Sequence, residues 1–173
     1  KSLNTLRIFV RSAGPRRGWL QAGPNLIPVA LGRAGIRADK REGDGATPRG
    51  RYRLRRLWLR ADRIGRPRTQ LAVRRIGPAQ GWCDDPDDYR YNRPIRLPAQ
   101  CRHEALHRAD ALYDLVIELN HNARPRVRGR GSAIFLHIAQ PGFAPTAGCI
   151  ALRAADLRRL LARIGPKTEI LIG

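Results

Sequence analysis

Near the end of the chain lie two residues whose types and spacing suit nucleophilic catalysis, Cys149 and His137. Cys149 directly follows Gly148, and a glycine there lets the backbone turn sharply and approach a ligand closely. His137 lies twelve residues upstream, inside the apolar segment 132–139. The thiolate is the reactive form of cysteine, and a neighbouring imidazole can accept the thiol proton. The two residues are therefore a candidate nucleophile and its general base.

The segment between them predicts how the two side chains meet. Residues 140–145 contain two prolines and cannot continue a strand for long. If the chain doubles back around Phe143, positions 137 and 149 are equidistant from the tip and have the same parity. Both side chains would then face one side of the paired strands. The residues alone leave a second interpretation open, in which a buried free cysteine and a hydrogen-bonded core histidine have no catalytic role.

A second motif, His-Glu-Ala-Leu-His at residues 103–107, competes for the chemistry. On a helix its two histidines would share a face and bind zinc, with the glutamate as base and Cys101 as a third ligand. Pro98 lies just upstream, and Arg102 and Arg108 flank the motif, so the segment is short and polar. These neighbours favour an exposed helical turn, and we expect no metal here.

The cysteine count adds one constraint. The chain has three cysteines, so at least one thiol is free unless the protein is a covalent dimer. Cys83 and Cys101 would close a loop of moderate length if they were bonded in an oxidising compartment. Two separate thiols are the preferred interpretation.

The elements that must position these residues are mostly short strands. Apolar runs bounded by glycine and proline predict strands at residues 6–10, 19–20, 26–31, 52–59, 71–76, 113–119, 132–139 and 168–172. Residues 154–164 have a helical pattern, and its apolar face predicts burial against the sheet that carries His137. That face comprises Leu157, Leu160, Leu161 and Ile164. We therefore predict a single domain over residues 1–173, a mostly β sandwich or barrel with one or two short helices.

Residues 77–98 form a long segment without a clear period. Loops of this length inside a compact domain are usually functional or disordered, and the aromatic residues here argue against disorder. We interpret the segment as a wall or lid over the cysteine site. Its candidate substrate-binding residues are Trp82, Tyr91, Asn92 and Arg93.

Charge is the strongest compositional signal. The chain has 34 basic and 14 acidic residues and a net charge of +20, which indicates an anionic partner such as nucleic acid, anionic lipid or a cell-wall polymer. The arginines are spread along the chain, and the densest blocks lack the interleaved aromatic residues of a base-stacking surface. We therefore expect no dedicated nucleic-acid site, and a basic nucleic-acid-binding protein without catalysis is kept as an alternative. No apolar stretch approaches the length of about 20 residues that a membrane-spanning helix needs.

Two sequence motifs resemble those of a known family. His137 with Pro145-Thr-Ala-Gly-Cys-Ile150 resembles the signature of the L,D-transpeptidases, the YkuD-type catalytic domain, in which a histidine precedes a Ser/Thr-His-Gly-Cys-hydrophobic run. Lys40-Arg-Glu-Gly-Asp-Gly-Ala-Thr-Pro-Arg-Gly50 is similar to the family's Lys-x-Gly-Asp/x-x-Thr-Pro-x-Gly run ahead of a strand. The order of parts also agrees, with a helix after the cysteine motif. Ala147 stands where the family usually has His, and Ala151 where it usually has Arg or Asn.

The resemblance implies peptidoglycan chemistry on a YkuD-like β fold. Cys149 would attack the carbonyl of a stem-peptide bond, expel a terminal D-amino acid and pass the acyl group to an amine of a second stem, in a 3-3 or a 1-3 cross-link. His137 would take the thiol proton and assist the incoming amine, while the backbone carbonyl of Ile138 orients its ring. The backbone N–H groups of Gly148 and Cys149 would bind the oxyanion. The resemblance also implies that carbapenems acylate the cysteine.

The expected partner is therefore the peptidoglycan stem peptide, with no cofactor and no metal. Thr146 and Ala147 beside the cysteine are further candidate substrate-binding residues. So is Arg128, because a guanidinium binds a carboxylate in a bidentate fork. The substrate class implies a periplasmic or cell-wall-facing location. A cysteine carboxypeptidase or amidase of the cell wall is the alternative on the same scaffold, and the oligomeric state is left open.

Overall fold

The computed structural model describes residues 2–10, 14 and 16–173, which form mostly short strands and one α-helix. The strands are β1 (Thr5–Phe9), β2 (Arg17–Ala22), β3 (Asn25–Ala30), β4 (Ile36–Arg37), β5 (Thr47–Pro48), β6 (Gly50–Leu59), β7 (Ala72–Arg75), β8 (Gln80–Cys83), β9 (Arg93–Arg96), β10 (His103–Ala105), β11 (Leu115–Leu119), β12 (Phe135–Ile138), β13 (Ile150–Leu152) and β14 (Glu169–Ile172). The helix is α1 (Ala154–Leu161).

The main sheet closes on itself. Its order is β11-β12-β13-β3-β2-β1-β14-β6-β7, and β6 also pairs with β11. The closure is possible because the ten-residue strand β6 pairs with β14 through residues 50–53 and with β11 through residues 54–59. The predicted mostly β sandwich or barrel is therefore confirmed.

Helix α1 packs its apolar face on the closed sheet. Leu157, Leu160, Leu161 and Ile164 are all buried in the main core, and α1 contacts β12, the strand that carries His137. The predicted burial of this face is confirmed. Within the described residues, no helix has the length and apolar character needed to cross a membrane.

A second, three-stranded sheet takes two of its strands from residues 77–98, which we expected to be irregular. Strands β8, β9 and β10 pair antiparallel in the order β10-β8-β9. The expectation of irregular structure over residues 77–98 is therefore wrong. The sequence did not reveal the two strands because both are short and each contains a residue atypical of strands. Gly81 lies in β8, where an added Cβ would be 2.9 Å from the Leu97 side chain, and Pro94 lies in the edge strand β9.

Candidate active site

Cys149 and His137 face the same side of two parallel strands. β12 pairs with β13 in parallel, and His137 lies opposite Ala151. Opposed residues share a face of a sheet, as do residues two apart, so Cys149 lies on the His137 face. The predicted hairpin is therefore wrong: the chain crosses over through a 3-10 turn, Pro141–Phe143, and returns in the same direction.

The turn before β13 positions the thiol. The Thr146 hydroxyl donates to the carbonyl of Cys149 at 2.6 Å and accepts the N–H of Gly148 at 3.1 Å. Gly148 has a φ of 142°, and a Cβ added to it would lie 2.8 Å from the carbonyl oxygen of Ala46. Only glycine fits here without strain. The Gly148 N–H, which we predicted as an oxyanion donor, already has the Thr146 hydroxyl as its partner.

The second family-like motif, residues 40–50, approaches this turn at Ala46 and is joined to it through residues 31–33. The N–H of Thr146 donates to the carbonyl of Leu31, and the carbonyl of Thr146 accepts from the N–H of Arg33, both at 2.9 Å. Between them, the N–H of Gly32 donates to the hydroxyl of Thr47 at 2.9 Å. The two motifs that resemble the family therefore form one structural unit.

The Cys149 thiol is buried and protonated at neutral pH. It donates to the carbonyl of Ala133 at 3.1 Å and accepts the N–H of Phe135 at 3.4 Å. Burial, reinforced by the negative charge of Glu104, raises the pKa of Cys149 to about 12. Within the described residues, no hydrogen bond joins the thiol to His137.

The His137 imidazole is held in one tautomer. Its Nδ1 lies 2.8 Å from the carbonyl oxygen of Ile138, the contact that the resemblance implied. A carbonyl only accepts, so Nδ1 carries the proton and Nε2 has a free lone pair. Burial lowers the pKa of His137 to about 4, so the ring is neutral at physiological pH. The Tyr113 ring packs edge-on against it, with the ring centroids 5.2 Å apart.

A cavity of about 720 Å³ opens onto both groups. Two of the residues that we predicted to bind substrate, Thr146 and Ala147, line it. Its basic lining residues are Arg33, Lys40, Arg102 and Arg108, and its acidic ones are Glu42, Asp84 and Glu104. Lys40 pairs with Asp44, Arg102 with Asp84 and Arg108 with Asp110. Among the residues that the structure describes, Arg33 is the cavity cation without a carboxylate partner.

The other predicted substrate-binding residues lie outside this cavity. Trp82 is buried beneath the site and packs edge-on against Phe135, with the centroids 5.1 Å apart. The hydroxyl of buried Tyr91 contacts Glu42 and accepts the N–H of Gly131 at 3.0 Å. The structure therefore gives Trp82 and Tyr91 framework positions instead of positions in a lid. Arg93 and Arg128 are exposed and lie outside the cavity. Arg128 pairs with Asp87 at 3.3 Å.

Asn92 connects this framework to the thiol. Its side-chain oxygen accepts the N–H of Ala133 at 3.1 Å, and the carbonyl of Ala133 in turn accepts the Cys149 thiol. Its side-chain nitrogen donates to the carbonyls of His121 and Asn122. Asn92 is therefore a positioning residue two contacts from the sulfur, a role that its place in an unpatterned segment did not reveal.

The His-Glu-x-x-His segment is not a helix. Its first three residues form β10, where His103 lies opposite Cys83, and the Nδ1 of His103 bonds to the carbonyl of Cys101 at 2.7 Å. The expected helical turn is wrong, and so is the helical geometry that the zinc motif requires. Glu104, the middle residue of this strand, instead lines the cavity and accepts a hydrogen bond from Tyr113.

The Cys83 and Cys101 thiols are free and close together. With a carboxylate oxygen of Asp88 their sulfurs form a group whose atoms lie within 4.8 Å of one another. That carboxylate already binds the Arg90 side chain through both oxygens, at 2.8 and 2.7 Å. None of the three residues of this group lines the cavity that serves Cys149.

A buried thiol and a neutral imidazole that line one cavity define a cysteine-dependent site on a closed β-sheet. Residues 6–172 match the L,D-transpeptidase catalytic domain, the YkuD family. The chain therefore belongs to this family of cysteine-dependent transpeptidases, which confirms the resemblance inferred from the motifs. The chain matches none of the curated proteins or solved structures with which it was compared. The single domain over residues 1–173 stays a prediction.

Proposed function

We propose that the protein is a peptidoglycan L,D-transpeptidase with Cys149 as nucleophile and His137 as general base. The observation that carries the proposal is their shared cavity, in which Nδ1 of His137 is bound and Nε2 is left to accept a proton. The periplasm or the outer wall is the proposed location, because the substrate is found there.

In the first half-reaction the thiol leaves the Ala133 carbonyl and transfers its proton to Nε2 as the S–C bond forms. The pKa values of about 12 for Cys149 and about 4 for His137 place both groups in their neutral forms at rest, so the proton moves during attack. The C–N bond of the stem peptide breaks, and His137 returns the proton to the departing D-amino acid. Because Thr146 engages the Gly148 N–H, we assign the oxyanion contact to the backbone N–H of Cys149.

In the second half-reaction an amine of a second stem attacks the thioester. The C–N bond forms, the C–S bond breaks, and His137 carries a proton from the amine to the Cys149 sulfur. Water in place of the amine would give the hydrolase alternative, a carboxypeptidase.

Arg33 is the proposed contact for a stem carboxylate. It lines the cavity, is exposed, and its guanidinium lacks an acidic partner within the described residues. A guanidinium binds a carboxylate in a bidentate fork, so Arg33 takes over the role that we predicted for Arg128.

Product analysis with purified stem peptides tests the proposal. We expect a cross-linked stem dimer together with a released D-amino acid, and neither product with Cys149→Ala. Shortened stems without a dimer would show that the protein is a hydrolase. No stem product, together with salt-dependent binding to duplex DNA, would favour a non-catalytic basic protein.

A further inference from the structure

Glu104 is an acidic group in the active-site cavity that neither half-reaction has used. It is the middle residue of β10, where its neighbours His103 and Ala105 are exposed and its own side chain is partly buried. Burial raises the pKa of its carboxyl group. Its negative charge disfavours the Cys149 thiolate and so helps to raise the pKa of that thiol.

The hydrogen-bond partner of Glu104 connects it to the base. Tyr113 donates its hydroxyl to the Glu104 carboxylate and packs the edge of its ring on His137. The charge of nearby Arg108 lowers the pKa of Glu104 against the larger effect of burial, although its guanidinium binds Asp110 through Nε and Nη2 at 2.9 and 2.6 Å. Among the residues that the structure describes, no cation forms an ion pair with Glu104.

A partly buried carboxylate without an ion-pair partner is costly, and a positive ligand in direct contact offsets that cost. The cavity therefore presents an unpaired negative group beside the sulfur that would hold the acyl group. In the proposed reaction the reacting group of the acceptor is a primary amine, which is protonated and positively charged at neutral pH.

We propose that Glu104, with Tyr113, is the subsite that binds the ammonium group of a primary-amine acceptor, an inference that rests on the proposed transpeptidase function. The ammonium donates to the Glu104 carboxylate and transfers one proton to it, which leaves a neutral amine. The amine nitrogen then attacks the thioester carbonyl, its second proton passes through His137 to sulfur, and the thiol of Cys149 is restored. The proton on Glu104 returns to solvent with the product.

The first test separates charged from neutral acceptors. The Cys149 acyl-enzyme is formed with a donor stem and chased either with Nα-acetyl-lysine, which carries a side-chain ammonium, or with hydroxylamine, which is uncharged at neutral pH. We expect Glu104→Gln to slow the acetyl-lysine reaction by about 10- to 100-fold, the range for losing a hydrogen bond to a charged group, and to slow the hydroxylamine reaction much less. Tyr113→Phe should show the same selectivity with a smaller loss.

Glu42→Gln is the matched control, because Glu42 lines the same cavity and also bonds to a tyrosine hydroxyl, that of Tyr91. It should keep the wild-type preference for acetyl-lysine. Equal losses with both nucleophiles in Glu104→Gln, or no loss with either, would overturn the assignment.

A second test does not depend on turnover. Cys149→Ala protein is titrated with Nα-acetyl-lysine methylamide and followed by NMR chemical shifts, with and without Glu104→Gln. We expect saturable binding that weakens about tenfold or more without the carboxylate. Equal affinity of the two proteins would overturn the subsite. If donor stems fail to acylate the wild type, the proposed function fails, and this titration still decides whether Glu104 binds an ammonium group.

Discussion

The two cysteine regions of the molecule have the same chemistry at the sulfur and different surroundings. Cys149 and Cys83 are both buried, and burial raises both thiol pKa values, to about 12 and about 11. Cys149 opens onto the cavity beside His137, whereas Cys83 is enclosed in a small apolar cluster with Ile95 and Cys101. Thiol acidity does not distinguish the two regions. The access of a substrate and the presence of a free base nitrogen do.

Removing the His137 imidazole should have the largest effect on the acylation rate of Cys149. We expect His137→Ala to slow acylation of Cys149 by about 100- to 10,000-fold, the range for losing a general base. The variant should leave the slow modification of Cys83 as it is in the wild type. Acylation rates followed by intact-mass spectrometry check this, and a loss of less than about threefold would contradict the role of the imidazole.

Helix α1, which contacts the strand that carries His137, should contribute strongly to the stability of the fold. Leu161 is fully buried on the face of α1 that packs against the main sheet. We expect Leu161→Ala to lower the free energy of unfolding by about 2–5 kcal/mol, because a buried leucine is lost and a cavity remains. Thermal or denaturant unfolding measures the change, and an unaltered melting temperature would show that the helix does not support the sheet.

The pH dependence of alkylation should separate a neutral thiol from an ion pair. With pKa values of about 12 for Cys149 and about 4 for His137, the thiolate fraction rises with pH and the imidazole stays neutral above about pH 5. We expect the iodoacetamide rate at Cys149 to rise about tenfold per pH unit between about pH 7 and 10, since only the thiolate reacts. A plateau across this range would indicate a thiolate–imidazolium pair and contradict the neutral resting state.

Changing Cys83, in the region away from the cavity, should have the smallest effect on activity. We expect Cys83→Ser to transfer acyl groups at nearly the wild-type rate, because its sulfur does not reach the cavity. The variant should lose about 1–3 kcal/mol of stability, the cost of a buried hydroxyl that lacks its full hydrogen bonding. Turnover and unfolding are measured on the same preparation. A Cys83→Ser protein that folds normally and is inactive would contradict the separation of the two regions.

Much of this architecture follows from local patterns in the sequence. The apolar face of α1 has a helical period and β6 has a long run rich in leucine and aromatic residues, so both were predicted close to their observed bounds. Cys149 and His137 were predicted on a common face because they have the same parity. Parity does not distinguish parallel from antiparallel pairing, and the prolines between the two residues suited a hairpin as well as the observed crossover.

The parts of the site that depend on distant contacts were not visible in the sequence. Glu104 lies in a three-residue strand, and its His-Glu-x-x-His context suits a helical period better than so short an alternation. Asn92 acts on the thiol through Ala133, forty-one residues away in sequence. Trp82 was expected in a lid, but aromatic residues suit cores as well as lids. The packing of Phe135 against it shows that Trp82 belongs to the core.

The most direct test of the central claim is to locate the acyl group. Wild-type protein and the variants Cys149→Ala and Cys83→Ser are incubated with a donor stem or a carbapenem, and the adduct is mapped by intact-mass and peptide mass spectrometry. We predict one adduct per chain on the peptide that contains Cys149, present in the wild type and Cys83→Ser and absent from Cys149→Ala. An adduct on Cys83 or Cys101, or turnover that survives in Cys149→Ala, would contradict the account.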